Sequence, residues 1–178
     1  MKRSYIREIL DNVNNNTISF AGGLPDEKLF PLRELQESSS RVFQNSKCLQ
    51  YSKSNGISSL RKQIAKLYTE KFDYKTNEDE ILITTGSQQS FYIISKIFQT
   101  EQTIIQNPSY VGAISAFKSL NLKLNGFDEI NDLKDILTEN STLYIMSDFQ
   151  NPSTLTYCNK QRLQFLKILK DKKSFLIE

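Results

Sequence analysis

The sequence predicts an α/β protein built on a mainly parallel sheet with flanking helices, and two observations carry that prediction. Short β-rich runs at Ile81–Thr85, Thr103–Gln106, Leu122–Phe127, Leu143–Met146 and Ser174–Ile177 alternate with stretches of helical spacing at Gln88–Phe98, Val111–Leu120, Leu133–Leu137 and Gln161–Leu169. That alternation is the signature of right-handed βαβ crossovers. Three polar, turn-forming segments also follow three of the runs: Thr85-Gly86-Ser87, Asn107-Pro108-Ser109-Tyr110, and Ser147 through Pro152. In a parallel sheet such segments stand at the carboxyl ends of the strands, where ligands gather.

The chain before Ile81 reads as helices and loops. Ser4–Leu10 has Ile6, Ile9 and Leu10 at helical spacing, and Asn14-Asn15-Asn16 breaks it. Gly22-Gly23 in the irregular segment Ile18–Pro25 reads first as a turn. A polar helix follows from Leu32 to Phe43, then a loop Gln50–Gly56. Leu60, Ile64, Leu67, Tyr68 and Phe72 make Ser58–Phe72 a helix.

Composition excludes several chemistries. The chain has 178 residues, two cysteines, a net charge of +3 and no histidine. Without histidine there is no Ser-His-Asp or Cys-His catalysis, and no imidazole metal site. Cys48 and Cys158 stand far apart, which suits a reducing cytoplasm rather than a disulfide framework. The charges are spread, with no basic block interleaved with aromatics, so no nucleic-acid partner is expected. No run of signal-peptide or membrane-spanning length is present.

The run Ile81–Thr85 breaks on Gly86 and enters a helix at Ser87-Gln88. A strand–turn–helix of this kind aims free backbone N–H groups and the positive end of a helix dipole at whatever lies above it, a seat for phosphate or carboxylate. Ser87 also reads as part of a plain helix N-terminus. The turn has one glycine, so it is neither a dinucleotide fingerprint nor a P-loop. Tyr110 can lay its ring on a flat ligand or fill core. Asn151 can donate to a ligand oxygen, and Asn-Pro is equally a turn initiator.

Taken together and in order, these stretches resemble the N-terminal part of the fold-type I pyridoxal-phosphate (PLP) aminotransferases, class I/II, of the 2-aminoadipate/kynurenine type. The matching residues are Ile6-Arg7-Glu8-Ile9-Leu10, Ile18 through Pro25 with Leu29-Phe30-Pro31, Leu49-Gln50-Tyr51, and Gly56 with Leu60-Arg61. They continue in Ile83 through Gln89, Pro108-Ser109-Tyr110 with Gly112-Ala113, and Phe149-Gln150-Asn151-Pro152.

The resemblance implies a role for each matching position. Ser87 and Gln88, with the amides of Gly86–Gln88, would hold the cofactor phosphate. Tyr110 would stack on the pyridine ring, and Asn151 would hydrogen-bond the ring's phenolic oxygen. Tyr51 would reach the phosphate of a neighbouring subunit's cofactor, making the working unit a homodimer, and Gly23 would lie against the amino-acid substrate. The protein would supply a dianion seat, stacking and polarising hydrogen bonds while the cofactor acts as electron sink.

It also implies a division into an N-terminal arm with a small-domain segment (1–31) and the first part of the large domain (32–178). In the family the first strand, here Ile81–Thr85, does not pair with the other four. Two later strands, beyond Glu178, lie between it and Ser174–Ile177, so the sheet is expected to be incomplete. The resemblance further implies that no catalytic residue falls in this chain: the lysine that anchors the cofactor, the aspartate facing the pyridine nitrogen and the carboxylate-binding arginine would all lie beyond Glu178. The family continues Asn-Pro-Thr-Gly where this chain has Asn151-Pro152-Ser153-Thr154.

The implied activity is amino-group transfer between an amino acid and a 2-oxo acid. Two other readings stay open: the effector domain of a MocR-type regulator without its DNA-binding part, and a generic phosphate-binding α/β module.

Overall fold

The computed structural model describes residues 12, 14, 16–18, 23–98 and 100–178. The expected helix Ser4–Leu10 and Gly22 lie outside them. The chain divides into two compact units, Met1–Ser52 and Lys53–Glu178.

In the first unit, Asp26 accepts from Lys28 N–H at 3.0 Å and caps a short 3-10 turn at Glu27–Leu29. Helix α1 (Leu32–Val42) follows, starting after Pro31, whose fixed φ suits a helix entry. It ends one residue short of the predicted Phe43. Its apolar residues Leu32, Leu35 and Val42 are exposed within the unit.

The second unit opens with α2 (Ser58–Phe72), as its spacing predicts. It then builds α3 (Ser87–Ile97), β1 (Thr103–Gln106), α4 (Val111–Ser119), β2 (Leu124–Phe127), α5 (Leu133–Ile136), β3 (Thr142–Tyr144), α6 (Asn159–Asp171) and β4 (Phe175–Ile177). Among the described residues the sheet has four strands, all neighbours parallel, in the order β2-β1-β3-β4. Sequence-consecutive strands are joined across the sheet by α4, α5 and α6. This is the α/β class the alternation predicts.

β2 begins two residues later than expected. Leu122 N–H still bonds Phe117 O at 3.3 Å in the turn that closes α4, where Asn121 takes φ +57°. As the resemblance implies, Ile81–Thr85 pairs with none of these four strands. Its Ile83 N–H bonds Asn55 O at 3.2 Å instead. That loop comes close because Gly56 has no side chain: a Cβ there would run into the Ile83 side chain, and its φ is +96°.

Period-two alternation sends the strands into two cores. Ile104 of β1 stands level with Leu143 of β3 and Leu176 of β4, and all three join Phe127, Leu133, Leu137, Phe165 and Leu169. Ile105, Tyr144 and Ile177 face the other way, to Phe91 of α3 and Ala113, Ala116 and Phe117 of α4. Each large side chain fully buried this way contributes roughly 1.5–3 kcal/mol. The described helices include none long and apolar enough to cross a membrane.

Candidate cofactor site at the carboxyl edge

Gly86 precedes the first turn of α3 with φ +78°, and a Cβ added there would meet nothing within 4 Å. The turn before it is sewn to the helix by side chains. Thr85 donates through N–H and Oγ1 to Gln89 Oε1, at 2.6 and 2.9 Å, and Thr84 Oγ1 lies 2.9 Å from Ser90 Oγ. Ser87 and Gln88 are exposed. The first amides of any α-helix lack an acceptor one turn back, so this end offers N–H donors and a partial positive charge outward.

Tyr110 is the residue before α4, half-buried, its ring centroid 6.4 Å from that of Phe91. A Cβ at Gly112 would overlap both Gln88 Nε2 and the Tyr110 ring at Cζ and Cε1. The missing side chain at Gly112 is therefore what lets Gln88 and Tyr110 meet. Behind them, Tyr144 is buried, and burial above all pushes its phenol up to about 12.

The Asn151 loop is tied to the Tyr110 turn. Gln150 Nε2 donates to Pro108 O at 2.5 Å, while Gln150 Oε1 accepts from the N–H of Ser153 at 2.8 Å and from its hydroxyl. Gln150 is 1 % exposed, and Asn151 beside it is exposed. The peptide bonds Asn107-Pro108 and Asn151-Pro152 are both cis. Thr154 stands where the resemblance expects glycine and takes φ +62°, the left-handed conformation a glycine would adopt.

At the base of this loop Arg162 of α6 bonds Tyr157 O, Ser147 Oγ, Ser147 O and Asp148 Oδ1. The Arg162 guanidinium beside Asp148 holds that carboxyl below its ordinary range.

The structure thus brings Gln88, in the first turn of α3, to Tyr110, just before α4, and joins the Tyr110 turn to the loop bearing Asn151. Gly23 (φ +58°) and the fully exposed Tyr51 belong to the first unit and are described with it alone. Three contributors escaped the sequence reading. Gly112 and Gln150 sat inside the quoted stretches, but nothing in spacing said what either touches. Arg162 lies inside the helical run Gln161–Leu169, whose spacing says nothing of what it touches. A separate groove of about 400 Å³ lies between α2 and the segment 74–83, lined by Ile64, Tyr68, Tyr74 and Ile81 among others.

A parallel sheet with proline turns following two of its strands, and a glycine-led helix start beside one of those turns, is an arrangement on which an anionic ligand can be held. Comparison with known proteins narrows this. The family model for aminotransferase class I and II matches residues 16–177, and the chain belongs to that family. It is 34 % identical to the 2-aminoadipate transaminase of Thermus thermophilus over 86 % of this chain and 40 % of that protein. It is 29 % identical to aromatic-amino-acid aminotransferase 1 of Thermococcus litoralis, over 100 % of this chain and 47 % of that one. Among solved structures, the alpha-aminoadipate aminotransferase of Thermus thermophilus, complexed with N-(5'-phosphopyridoxyl)-L-leucine, matches with a TM-score of 0.83 and 30 % identity, covering 98 % of this chain and 46 % of that one. The chain spans about half the length of the curated relatives it matches.

Proposed function

We propose that this chain forms the phosphate- and ring-binding portion of a cytoplasmic PLP-dependent aminotransferase that moves an amino group between an amino acid and a 2-oxo acid. The observation that carries the reading is the meeting of Gln88 and Tyr110 over Gly112 at the start of α3. An amide donor and an aromatic ring held side by side at a helix start suit a ligand that joins a phosphate to a flat ring.

In this reading the Gly86–Gln88 amides with the Ser87 hydroxyl and the Gln88 amide hold the phosphate dianion. Charge-assisted bonds at a helix start are the strong kind. Tyr110 offers its ring face to the pyridine. Asn151 donates to the phenolic oxygen and favours its ionised form. Bound PLP supplies the electron sink for the reaction. Tyr51, wholly exposed in its own unit, is available to a second subunit, and Gly23 leaves room for the amino-acid substrate. The small-domain segment is 1–31 and the large-domain portion 32–178.

The test is binding of pyridoxine 5'-phosphate, which has the ring and phosphate but no aldehyde to react with surface lysines. Saturable binding, weakened by both Ser87→Ala and Asn151→Ala, is expected. Equal binding of inorganic phosphate with no contribution from Asn151 would leave only a phosphate site and overturn the PLP reading.

A further inference from the structure

We infer that Arg162 is a positioning residue that sets where Asn151 stands. The inference rests on the proposed role of Asn151 and extends it to a side chain on a different element.

The loop from Ser147 to Tyr157 leaves β3, carries Asn151 at its far end and returns to the start of α6. Its two limbs meet at the base, where Tyr157 N–H bonds Ser147 O at 2.9 Å. Arg162 fastens that base from one side. Nε donates to Tyr157 O at 2.8 Å on the returning limb. Nη1 donates to Ser147 Oγ at 3.1 Å, and Nη2 to Ser147 O at 3.3 Å and Asp148 Oδ1 at 2.7 Å on the outgoing limb. Ser147 Oγ also bonds the Glu178 carboxylate, which links the clasp to the end of β4.

Charge alone does not explain this arrangement. An exposed Arg–Asp pair contributes only about 0–1 kcal/mol, and the Arg162 side chain is 34 % exposed. Three of its four bonds go instead to backbone carbonyls and a hydroxyl at the neck of the loop. A planar guanidinium spans two limbs at once, whereas a lysine ammonium is a point charge that cannot.

Above the neck, the Phe149 N–H bonds Thr156 Oγ1 at 3.1 Å, Gln150 N–H bonds Leu155 O at 2.9 Å, and Thr154 N–H bonds Gln150 O at 2.6 Å. These rungs stack on the clasp, and Asn151 sits on the last of them. Opening the neck would free the rungs and let Asn151 sample orientations that miss a ligand oxygen.

The experiment combines hydrogen exchange with pyridoxine 5'-phosphate binding in the 178-residue chain, for the wild type, Arg162→Met, Arg162→Lys, Asn151→Ala and Arg162→Met/Asn151→Ala. Arg162→Met should raise exchange about tenfold at the Phe149, Gln150, Thr154 and Tyr157 amides and leave Thr103–Gln106 unchanged. It should weaken binding about tenfold, the scale of a lost charge-assisted bond. Adding Asn151→Ala should then cost nothing more, because the amide is already mispositioned. Arg162→Lys should fall near Arg162→Met in exchange, and it carries the test if the methionine variant does not fold. Unchanged exchange at the four amides, or an additive loss in the double variant, would overturn the inference. A wild type that does not bind the probe would defeat the role given to Asn151, while the exchange arm still decides whether Arg162 holds the loop.

Discussion

Gln150 Nε2 donates to the Pro108 carbonyl at 2.5 Å, so one buried carboxamide joins the turn after β1 to the loop after β3. Both ends of that amide are used, since its Oε1 accepts from Ser153. Truncation would leave the Pro108 carbonyl and the Ser153 groups short of partners and open a void. Gln150→Ala is expected to lower stability by about 2–3 kcal/mol, measured as a shifted urea midpoint at unchanged slope.

Gly112→Ala asks whether the meeting of Gln88 and Tyr110 matters. The added methyl strikes Gln88 Nε2 and the Tyr110 ring. Overpacking of this kind costs about 1–3 kcal/mol where neighbours cannot move, but Gln88 is exposed and can swing away. The expected outcome is a small loss of stability with at least a tenfold loss of pyridoxine 5'-phosphate binding. Titration of that ligand against both proteins checks it.

Much of this site was legible beforehand because its parts are local. A glycine between a β-rich run and a helix, and prolines at strand ends, punctuate the chain wherever they occur, and from them Ser87, Tyr110 and Asn151 were expected together; the structure itself joins Gln88 to Tyr110 and the Tyr110 turn to the Asn151 loop. Helix α2 was legible from spacing alone. What could not be read was contact between segments distant in sequence: that Gly112 makes room for Gln88, that Gln150 reaches Pro108, that Arg162 spans Ser147 and Tyr157. Ile81–Thr85 has strand-forming residues but, as the resemblance implied, no neighbour among the described strands to ladder with. A strand is a property of pairs, and propensity describes only one member.

Thr154→Gly is expected to stabilise the chain. A β-branched residue at φ +62° is strained, by roughly 1–2 kcal/mol for a left-handed residue, and glycine returns about 0.5–1 kcal/mol of that as extra entropy in the unfolded chain. A net gain of about 0.5–1 kcal/mol in chemical denaturation follows. A loss would mean that the Thr154 side chain contributes contacts worth more than the strain.

Two titrations have opposite signs. Burial favours the neutral Tyr144 phenol, raised from 10 to about 12, so its contribution to stability is complete below pH 10 and fades as pH climbs toward 12. Tyr144→Phe keeps the rings packed near Phe91 and Phe117 and should flatten stability across that window. Asp148 is lowered, first by its hydrogen bond from Arg162. Its contribution is present above the ordinary carboxylate range and is lost as pH falls through its depressed value, a dependence Asp148→Asn should remove. Denaturation midpoints read at intervals from pH 2 to 12 test both.

The last prediction concerns the edge at β4. Phe175 N–H bonds Ser141 O at 2.9 Å and Ile177 O accepts from Ile145 N–H at 3.1 Å, so these two residues face β3. In a parallel ladder the N–H and C=O of one residue point the same way, which turns those of Leu176 outward. Among the described residues no strand lies on that side. An edge presenting unpaired groups beside the exposed ring of Phe175 is a template for another strand. The isolated chain is therefore expected to self-associate as its concentration rises. N-methylation of Leu176, introduced by ligating a short synthetic C-terminal peptide, removes the outward donor while keeping the side chain against Leu143. Sedimentation should show the methylated chain less associated than the unmodified one. Association equal in both would place the contact elsewhere, and a monomeric unmodified chain with a sharp, cooperative thermal transition would show that this edge is already closed.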